Sequence, residues 1–205
     1  MNRASYAGVV ALGLAVAAAC HGQTIVDEWA NVKAPPPPEL KPVKAVPKET
    51  ALLMLDFVKQ NCGPRPRCVA SLPKMQRLLA QARESGVHVV YSLAGQTLAD
   101  IYPEVAARPG EPSVSSGPDK FLNTDLEKIL KERGVKTVIV VGTAAEGAVL
   151  NTGAGAALRG WKVIVPVDGV SSSTTYAEQY TAWHLANASR IGPQVTLTRS
   201  DLISF

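Results

Sequence analysis

The aspartate at position 56 has surroundings that favour a chemical role. It follows five consecutive apolar residues in the run "ALLMLDF" (51–57). An ionised carboxylate in such surroundings is costly to desolvate unless it is hydrogen-bonded or paired with a cation. The pattern therefore indicates that Asp56 is an acid or a base in a reaction, with a carboxylate that only caps a loop as the alternative interpretation.

A second candidate site lies in the segment "VVGTAAEGAVLNTGAGAALRG" (140–160), which is typical of a buried strand turning into a helix. Many α/β enzymes keep a nucleophile at such a turn, but this one offers alanine and glycine. The backbone amides near Ala144, Gly147 and Ala148 can still bind an anionic or carbonyl oxygen. We therefore expect an oxygen-binding turn with no side-chain nucleophile, with polar support from Thr143 and Glu146.

The elements that position these residues alternate between apolar runs and amphipathic helices. Near-continuous hydrophobic runs are typical of strands buried on both faces of a parallel sheet. The strands are predicted at 51–57, 87–93, 136–142, 161–167 and 194–198. The helices are predicted from a Ser71 cap to Gly86, from a Thr124–Glu127 capping box to Gly134, over 146–159 and over 175–188. This order predicts an α/β fold: a doubly wound, mostly parallel sheet in a three-layer α/β/α sandwich, with ligands beyond the carboxyl ends of the strands.

The other polar and aromatic residues near the strand ends have simpler interpretations. Ser92 and Asp168 also end strands, but Asp168 and residues 171–173 are typical of a strand-to-helix turn and a helix cap. The helix "YAEQYTAWHLANA" carries an aromatic face that favours core or dimer packing over catalysis. That face consists of Tyr176, Tyr180, Trp183 and His184.

The segments "TALLMLDF" and "DKFLNTDLEKILKERGVKTVIVVGTAAEGAVLNTGAGAALRGWKVIVPVDGVSS" resemble the isochorismatase-like hydrolases, the cysteine hydrolase superfamily that includes nicotinamidases and other amidases. The resemblance extends over about residues 48 to 200. It implies a Rossmann-like fold and commonly a dimer or tetramer, so we expect a homo-oligomer. It also implies a catalytic Asp, Lys and Cys, in which the Asp is the general base for a thiol that attacks an amide carbon.

The expected nucleophile is missing from this chain. Asp56 matches the family's aspartate, but the cysteine should lie six residues after Gly142 and directly before Val149, where this sequence has Ala148. An alanine side chain cannot attack a carbon atom. The resemblance therefore indicates a divergent member without the usual cysteine.

The family's lysine is also displaced. It usually lies five or six residues before the phenylalanine that matches Phe121, and those positions are Ser115 and Ser116 here. Lys120, directly before Phe121, can substitute if the loop is rearranged. The D-x-H metal signature of nicotinamidases does not occur in the loop "AGQTLADIYPEVAARPGEP", so we predict no metal and no cofactor.

The amino terminus predicts export. Arg3 and the apolar run at 7–19, which is shorter than the ~20 residues of a membrane span, are typical of a signal peptide. We predict a signal peptide over 1–22, an extended proline-rich arm over 23–49 and a hydrolase domain over 50–205. Cleavage after Gly22 is the favoured interpretation, giving a periplasmic or secreted protein; lipid attachment at Cys20 is the alternative.

Composition and cysteine spacing narrow the class of protein. The 205 residues are 46% hydrophobic and 19% charged, which is ordinary for a globular domain. The net charge of +4 is spread along the chain without a basic run interleaved with aromatics, so we predict no nucleic-acid partner. Cys62 and Cys68 bracket "GPRPR", and after export we expect a disulfide there rather than a reactive thiol.

The resulting functional hypothesis is a hydrolase of a small amide, ester or vinyl ether that uses Asp56 without a thiol. True isochorismatases also lack the cysteine and use the aspartate as a general acid toward a vinyl ether, a role that Asp56 could fill if its apolar surroundings keep it protonated. The alternatives are an inactive small-molecule-binding protein of the same fold, and a partner-binding role for the proline arm and the aromatic helix.

Overall fold

The computed structural model describes residues 24–205, and its centre is a parallel β-sheet. The strands of the described residues are β1 (Val43–Lys44), β2 (Thr50–Leu55), β3 (His88–Leu93), β4 (Ser113–Ser115), β5 (Thr137–Thr143), β6 (Lys162–Pro166), β7 (Val170–Ser171), β8 (Val195–Thr198) and β9 (Ile203–Ser204). Six of them form the central sheet in the order β4-β3-β2-β5-β6-β8, and β7 pairs with the end of β5. Every registered pair in this sheet is parallel.

Helices cover both faces of the sheet. They are α1 (Lys59–Cys62), α2 (Pro66–Glu84), α3 (Leu126–Glu132), α4 (Leu150–Leu158) and α5 (Thr175–Asn187), with a π-helical turn at Ala145–Val149 directly before α4. Because side chains alternate along a strand, Leu52 and Met54 of β2 pack in one core cluster with α2, while Leu53 and Leu55 pack in the other with α3, α4 and α5. The predicted three-layer α/β/α sandwich is confirmed.

Helix α2 begins earlier than the sequence predicted. Its first residue is Pro66, a favourable first position because proline lacks the N–H that would have no partner there. The predicted cap, Ser71, lies inside the helix and donates its hydroxyl to the Cys68 carbonyl oxygen at 2.7 Å. Pro73 is accommodated inside the helix, so the Ser-Leu-Pro pattern does not mark its start.

The predicted capping box of α3 is absent. Asp125 occupies the cap position without a side-chain hydrogen bond, and the helix begins at Leu126. The hydroxyl of Thr124 donates to the Lys120 carbonyl oxygen at 2.5 Å and accepts a hydrogen bond from the Leu126 amide at 3.2 Å, so it still contacts the first residue of the helix. Glu127 pairs with Lys131 rather than with the helix start, so the reciprocal half of the expected box is missing.

The aromatic face of α5 is exposed rather than packed in the core. Tyr176, Tyr180 and Trp183 are 63%, 39% and 45% exposed. The cap of this helix is Thr174, whose hydroxyl accepts a hydrogen bond from the Ala177 amide at 3.2 Å, so the predicted cap at 171–173 is displaced along the chain. Core packing is therefore the wrong interpretation for these aromatic side chains.

The residues before the sheet form two parts. Residues 24–36 are exposed and contain a short 3-10 turn at Trp29–Asn31. From Pro37 onward the chain belongs to the compact unit: Lys41 donates its amide to the Leu197 carbonyl oxygen, and β1 pairs with β9. The predicted signal peptide and Cys20 lie outside the described residues. Within 24–205, no helix has the length and apolar character to cross a membrane.

Candidate active site

Asp56 lies at the carboxyl end of β2 and forms a buried ion pair. Its Oδ2 is 2.8 Å from Nζ of Lys120, and its Oδ1 accepts a hydrogen bond from the Ser92 hydroxyl at 2.7 Å. Asp56 is 4% exposed and Lys120 is fully buried. Both carboxylate oxygens therefore accept hydrogen bonds, so the surroundings of Asp56 are not the purely apolar ones that the sequence indicates.

The backbone at Asp56 turns its side chain out of the strand pattern. Its φ is 54°, a left-handed conformation that aspartate tolerates better than most residues. The Asp56 amide still donates to the Ser92 carbonyl oxygen at 3.3 Å, so pairing with β3 continues past the last residue of β2. Ser92 consequently holds Asp56 by both its backbone and its side chain.

Lys120 reaches Asp56 from the segment before α3. Its Nζ also donates to the Ser116 carbonyl oxygen at 3.2 Å, and its amide donates to the Thr152 hydroxyl of α4 at 3.2 Å. The next residue, Phe121, is buried and stacks on Trp161 with ring centroids 5.5 Å apart. Packing of Phe121 and the backbone contacts of Lys120 together fix where the ammonium group lies.

The turn after β5 lies against the end of β2. Gly142 has a φ of 139°, and a Cβ added there would collide with the Leu55 backbone oxygen. The peptide bond between Thr143 and Ala144 is cis. Ala148, at the position expected for the nucleophile, is 4% exposed within the π-helical turn.

The polar groups expected to support this turn have other partners. The Gly147 amide donates to the Ala144 carbonyl oxygen at 3.1 Å, which leaves the amides of Ala144 and Ala148 as the predicted donors for a substrate oxygen. The Thr143 hydroxyl donates to the Ser171 carbonyl oxygen at 3.1 Å. Glu146 Oε2 accepts a 2.5 Å hydrogen bond from the Ser172 hydroxyl, so Thr143 and Glu146 both bind the segment after β6.

The remaining predicted site is the cysteine pair. Cys62 and Cys68 form a disulfide between α1 and α2, and both residues are fully buried. Within residues 24–205, no group of three or more His, Cys, Asp or Glu side chains is placed to hold a metal ion.

Comparisons with known proteins identify the family of this chain. A family model described as the isochorismatase domain matches residues 50–199. The chain belongs to the isochorismatase family. The family is hydrolytic, and Asp56, Lys120 and Ala148 all lie within the matched residues.

One relative within this family is a secreted isochorismatase effector of Verticillium dahliae. It is 35% identical over 113 residues, which cover 49% of this chain and 60% of the relative. The chain thus spans less than two thirds of that relative's length.

Solved structures show the same fold. A cysteine hydrolase from Pseudomonas syringae pv. phaseolicola has a TM-score of 0.68 at 20% identity, covering 80% of this chain and 94% of that one. N-carbamoylsarcosine amidase from Thermoplasma acidophilum has a TM-score of 0.63 at 23% identity, covering 75% of this chain and 97% of that one. At these identities the likeness establishes the isochorismatase-like fold alone.

The spacing of residues along the sequence does not predict two features of the site. The lysine position counted back from Phe121 falls on Ser115 and Ser116, yet Lys120 is the residue beside Asp56. The sequence indicates Ser92 only as a residue at the end of a strand. The pairing of β2 with β3 is the signal that could have brought Ser92 to Asp56, because strand ends in a parallel sheet lie side by side.

Proposed function

We propose that this protein hydrolyses a small amide, ester or vinyl ether by acid–base chemistry at Asp56, without a cysteine nucleophile. The observation that carries the proposal is the buried Asp56–Lys120 pair, which lies at the carboxyl end of the sheet where ligands of such folds bind. Position 148 holds a methyl group, so a water molecule must supply the attacking oxygen.

The polar partners of Asp56 favour a base over an acid in the first step. The Lys120 ammonium and the Ser92 hydroxyl both stabilise a negative carboxylate. Asp56 takes a proton from water as the water oxygen bonds to the carbonyl carbon, and the carbonyl electron pair moves onto its oxygen. Collapse of this intermediate breaks the bond to the leaving nitrogen or oxygen, which receives the proton from Asp56.

The turn after β5 would hold the developing oxyanion. Backbone amides that are fixed before the reaction stabilise such charge without reorganisation, and removal of one donor typically costs about 100-fold or more in kcat. The amides of Ala144 and Ala148 are the donors that we assign to this role. A vinyl ether would instead require Asp56 to donate a proton in the first step, whereas both of its oxygens already accept hydrogen bonds, so amides and esters are the preferred substrates.

We further propose that the protein acts after export and as a homo-oligomer. The predicted signal peptide, the Cys62–Cys68 disulfide and the secreted fungal relative support export. The exposed aromatic side chains of α5 support self-association.

The second candidate function is binding without turnover. It is favoured by Ala148, because a site at Asp56 without a thiol can hold a small amide or carboxylate and leave it unchanged. This candidate predicts that Asp56 contributes to affinity rather than to rate.

A turnover screen of the full chain on amides, esters and vinyl ethers separates the two candidates. We expect Asp56→Asn to reduce kcat by at least about 100-fold, because it removes the base. The assay is made at a temperature where the variant is folded, since the substitution also leaves the buried Lys120 ammonium without its counter-charge. Asp168→Asn is the matched control, since Asp168 follows another strand and contacts Lys74 and Ser200 instead. Activity in Ala148→Cys alone would refute the thiol-independent hydrolase and support the binding protein.

A further inference from the structure

A small basic pocket lies at the amino end of β3, at the opposite end of the sheet from Asp56. Its volume is about 290 Å³, which suits a compact ligand. His88 in its wall lies four positions before Ser92, which contacts Asp56, so β3 rises about 13 Å between the two sites. The titratable residues that line this basic pocket are Arg83, His88, Arg108, Glu111 and Arg133.

One of the three guanidinium groups is already neutralised. Nε and Nη2 of Arg83 donate to the two carboxylate oxygens of Glu111 at 2.8 and 2.7 Å, and Nη2 also donates to the Ala106 carbonyl oxygen at 2.8 Å. The same carboxylate accepts a hydrogen bond from the Arg108 amide at 2.7 Å. Glu111 therefore holds the loop that carries Arg108 in place, while its charge is matched by Arg83.

The other two guanidinium groups have no counter-charge. Among the ion pairs of residues 24–205, none includes Arg108 or Arg133. Arg108 is exposed, Arg133 is half-buried, and both line the basic pocket, so a solute can reach them. Two positive charges at this pocket are thus left uncompensated.

The imidazole of His88 lies beside one of these charges. Burial lowers the pKa of His88 below its ordinary value, and the positive charge of Arg133 lowers it further. The neutral ring adds no charge to the pocket. An anion bound at Arg133 changes the surroundings of this ring, so His88 can report whether the pocket is occupied.

We propose that the basic pocket binds the phosphate group of a small soluble molecule through Arg108 and Arg133. Guanidinium groups suit phosphate because their parallel N–H groups donate to two oxygens at once. A phosphate monoester carries about 1.5 to 2 negative charges at pH 7, which matches the two uncompensated arginines. The sequence shows no basic run here because the lining residues come from separate segments, which the pairing of β3 with β4 brings together.

The test is a nuclear magnetic resonance titration of the full chain with inorganic phosphate, at constant pH and ionic strength. We expect the ring signals of His88, assigned by their loss in His88→Gln, to shift with added phosphate. The signals of His184 on α5 should stay in place. Arg108→Gln and Arg133→Gln should each weaken phosphate binding about tenfold, because each removes a charged donor.

Arg77→Gln is the matched control. Arg77 is exposed on α2, belongs to no ion pair of the described residues and lines a different pocket. Its substitution changes the net charge equally and should leave phosphate affinity unchanged.

A lipid headgroup is another source of phosphate, so the protein is also sedimented with vesicles of phosphatidylcholine and phosphatidic acid. We expect no co-sedimentation. The proposal is overturned if phosphate leaves the His88 signals in place, or if either pocket variant binds phosphate as tightly as the wild type. It is also overturned if Arg77→Gln weakens binding equally, or if the vesicles bind the protein through Arg108 and Arg133.

Discussion

At the scale of single residues, the ion pair between Asp56 and Lys120 is an expensive way to stabilise a fold. Each charge loses its hydration on burial, and replacing such a pair by apolar residues is often neutral or stabilising. The two side chains are 6% and 1% exposed, so neither charge is left to water. A chemical role explains their presence better than stability does.

Removing only the cation should expose that cost. We expect Lys120→Met to lower the free energy of unfolding by about 3–5 kcal/mol, because it leaves the Asp56 carboxylate buried without its partner. The double variant Asp56→Asn, Lys120→Met should be more stable than Lys120→Met alone, since no buried charge remains. Urea unfolding of the wild type, both single variants and the double variant measures this coupling.

The exposed pair of Lys128 and Glu132 provides the control. Lys128→Met should change the free energy of unfolding by less than about 1 kcal/mol, because surface ion pairs contribute little. A Lys120→Met variant as stable as Lys128→Met would show that Asp56 does not depend on its cation in solution.

At the scale of elements, the parallel pairing of β2 with β5 positions the site. Leu55 pairs with Gly142, and the residues that follow them are Asp56 and Thr143. Because the glycine has no Cβ, the turn after β5 can approach the Leu55 backbone oxygen closely. The glycine in "VVG" is therefore a condition for bringing Ala148 and Asp56 to the same end of the sheet.

Gly142→Ala tests this close approach. The added methyl group would collide with backbone atoms rather than with a flexible side chain. The φ angle at residue 142 also disfavours any L residue, so we expect a loss of at least about 3 kcal/mol in the free energy of unfolding. Gly86→Ala is the matched control: Gly86 has a φ of 80° but open space around it. It should cost only about 1 kcal/mol. Equal melting temperatures for the two variants would contradict the steric argument.

The elements also show what a sequence can predict here. Buried strands are readable because burial on both faces requires a continuous apolar run, as at 136–142. Helix starts were less readable, because the Ser71 hydroxyl binds a carbonyl oxygen inside α2 and because Glu127, the partner predicted for Thr124, binds Lys131 instead. Spacing along the sequence did not predict that Lys120 lies beside Asp56, because its position depends on how Phe121 packs on Trp161, a contact between distant segments.

At the scale of the whole molecule, the cysteine pair and the alanine at position 148 both favour chemistry without a free thiol. The resemblance places the family's thiol at position 148, where this chain has alanine, and the two cysteines of the described chain are joined to each other. In an oxidising compartment a free catalytic thiol is exposed to oxidation, whereas a carboxylate is not. A hydrolase that works through Asp56 and water would therefore suit export better than one that works through a thiol.

Replacing the two cysteines of the disulfide separates its effect on stability from any effect on catalysis. The bridge closes a short loop, so we expect the Cys62→Ala, Cys68→Ala double variant to lose about 2 kcal/mol of stability through the greater freedom of its unfolded chain. Its kcat on a substrate found in the screen should equal that of the wild type at a temperature where both are folded.

Treatment of the wild type with iodoacetamide should likewise leave turnover unchanged. Loss of activity in step with alkylation of Cys62 or Cys68, followed by intact mass, would mean that a thiol takes part after all, and would move the chemistry from the carboxyl end of β2 to the junction of α1 and α2.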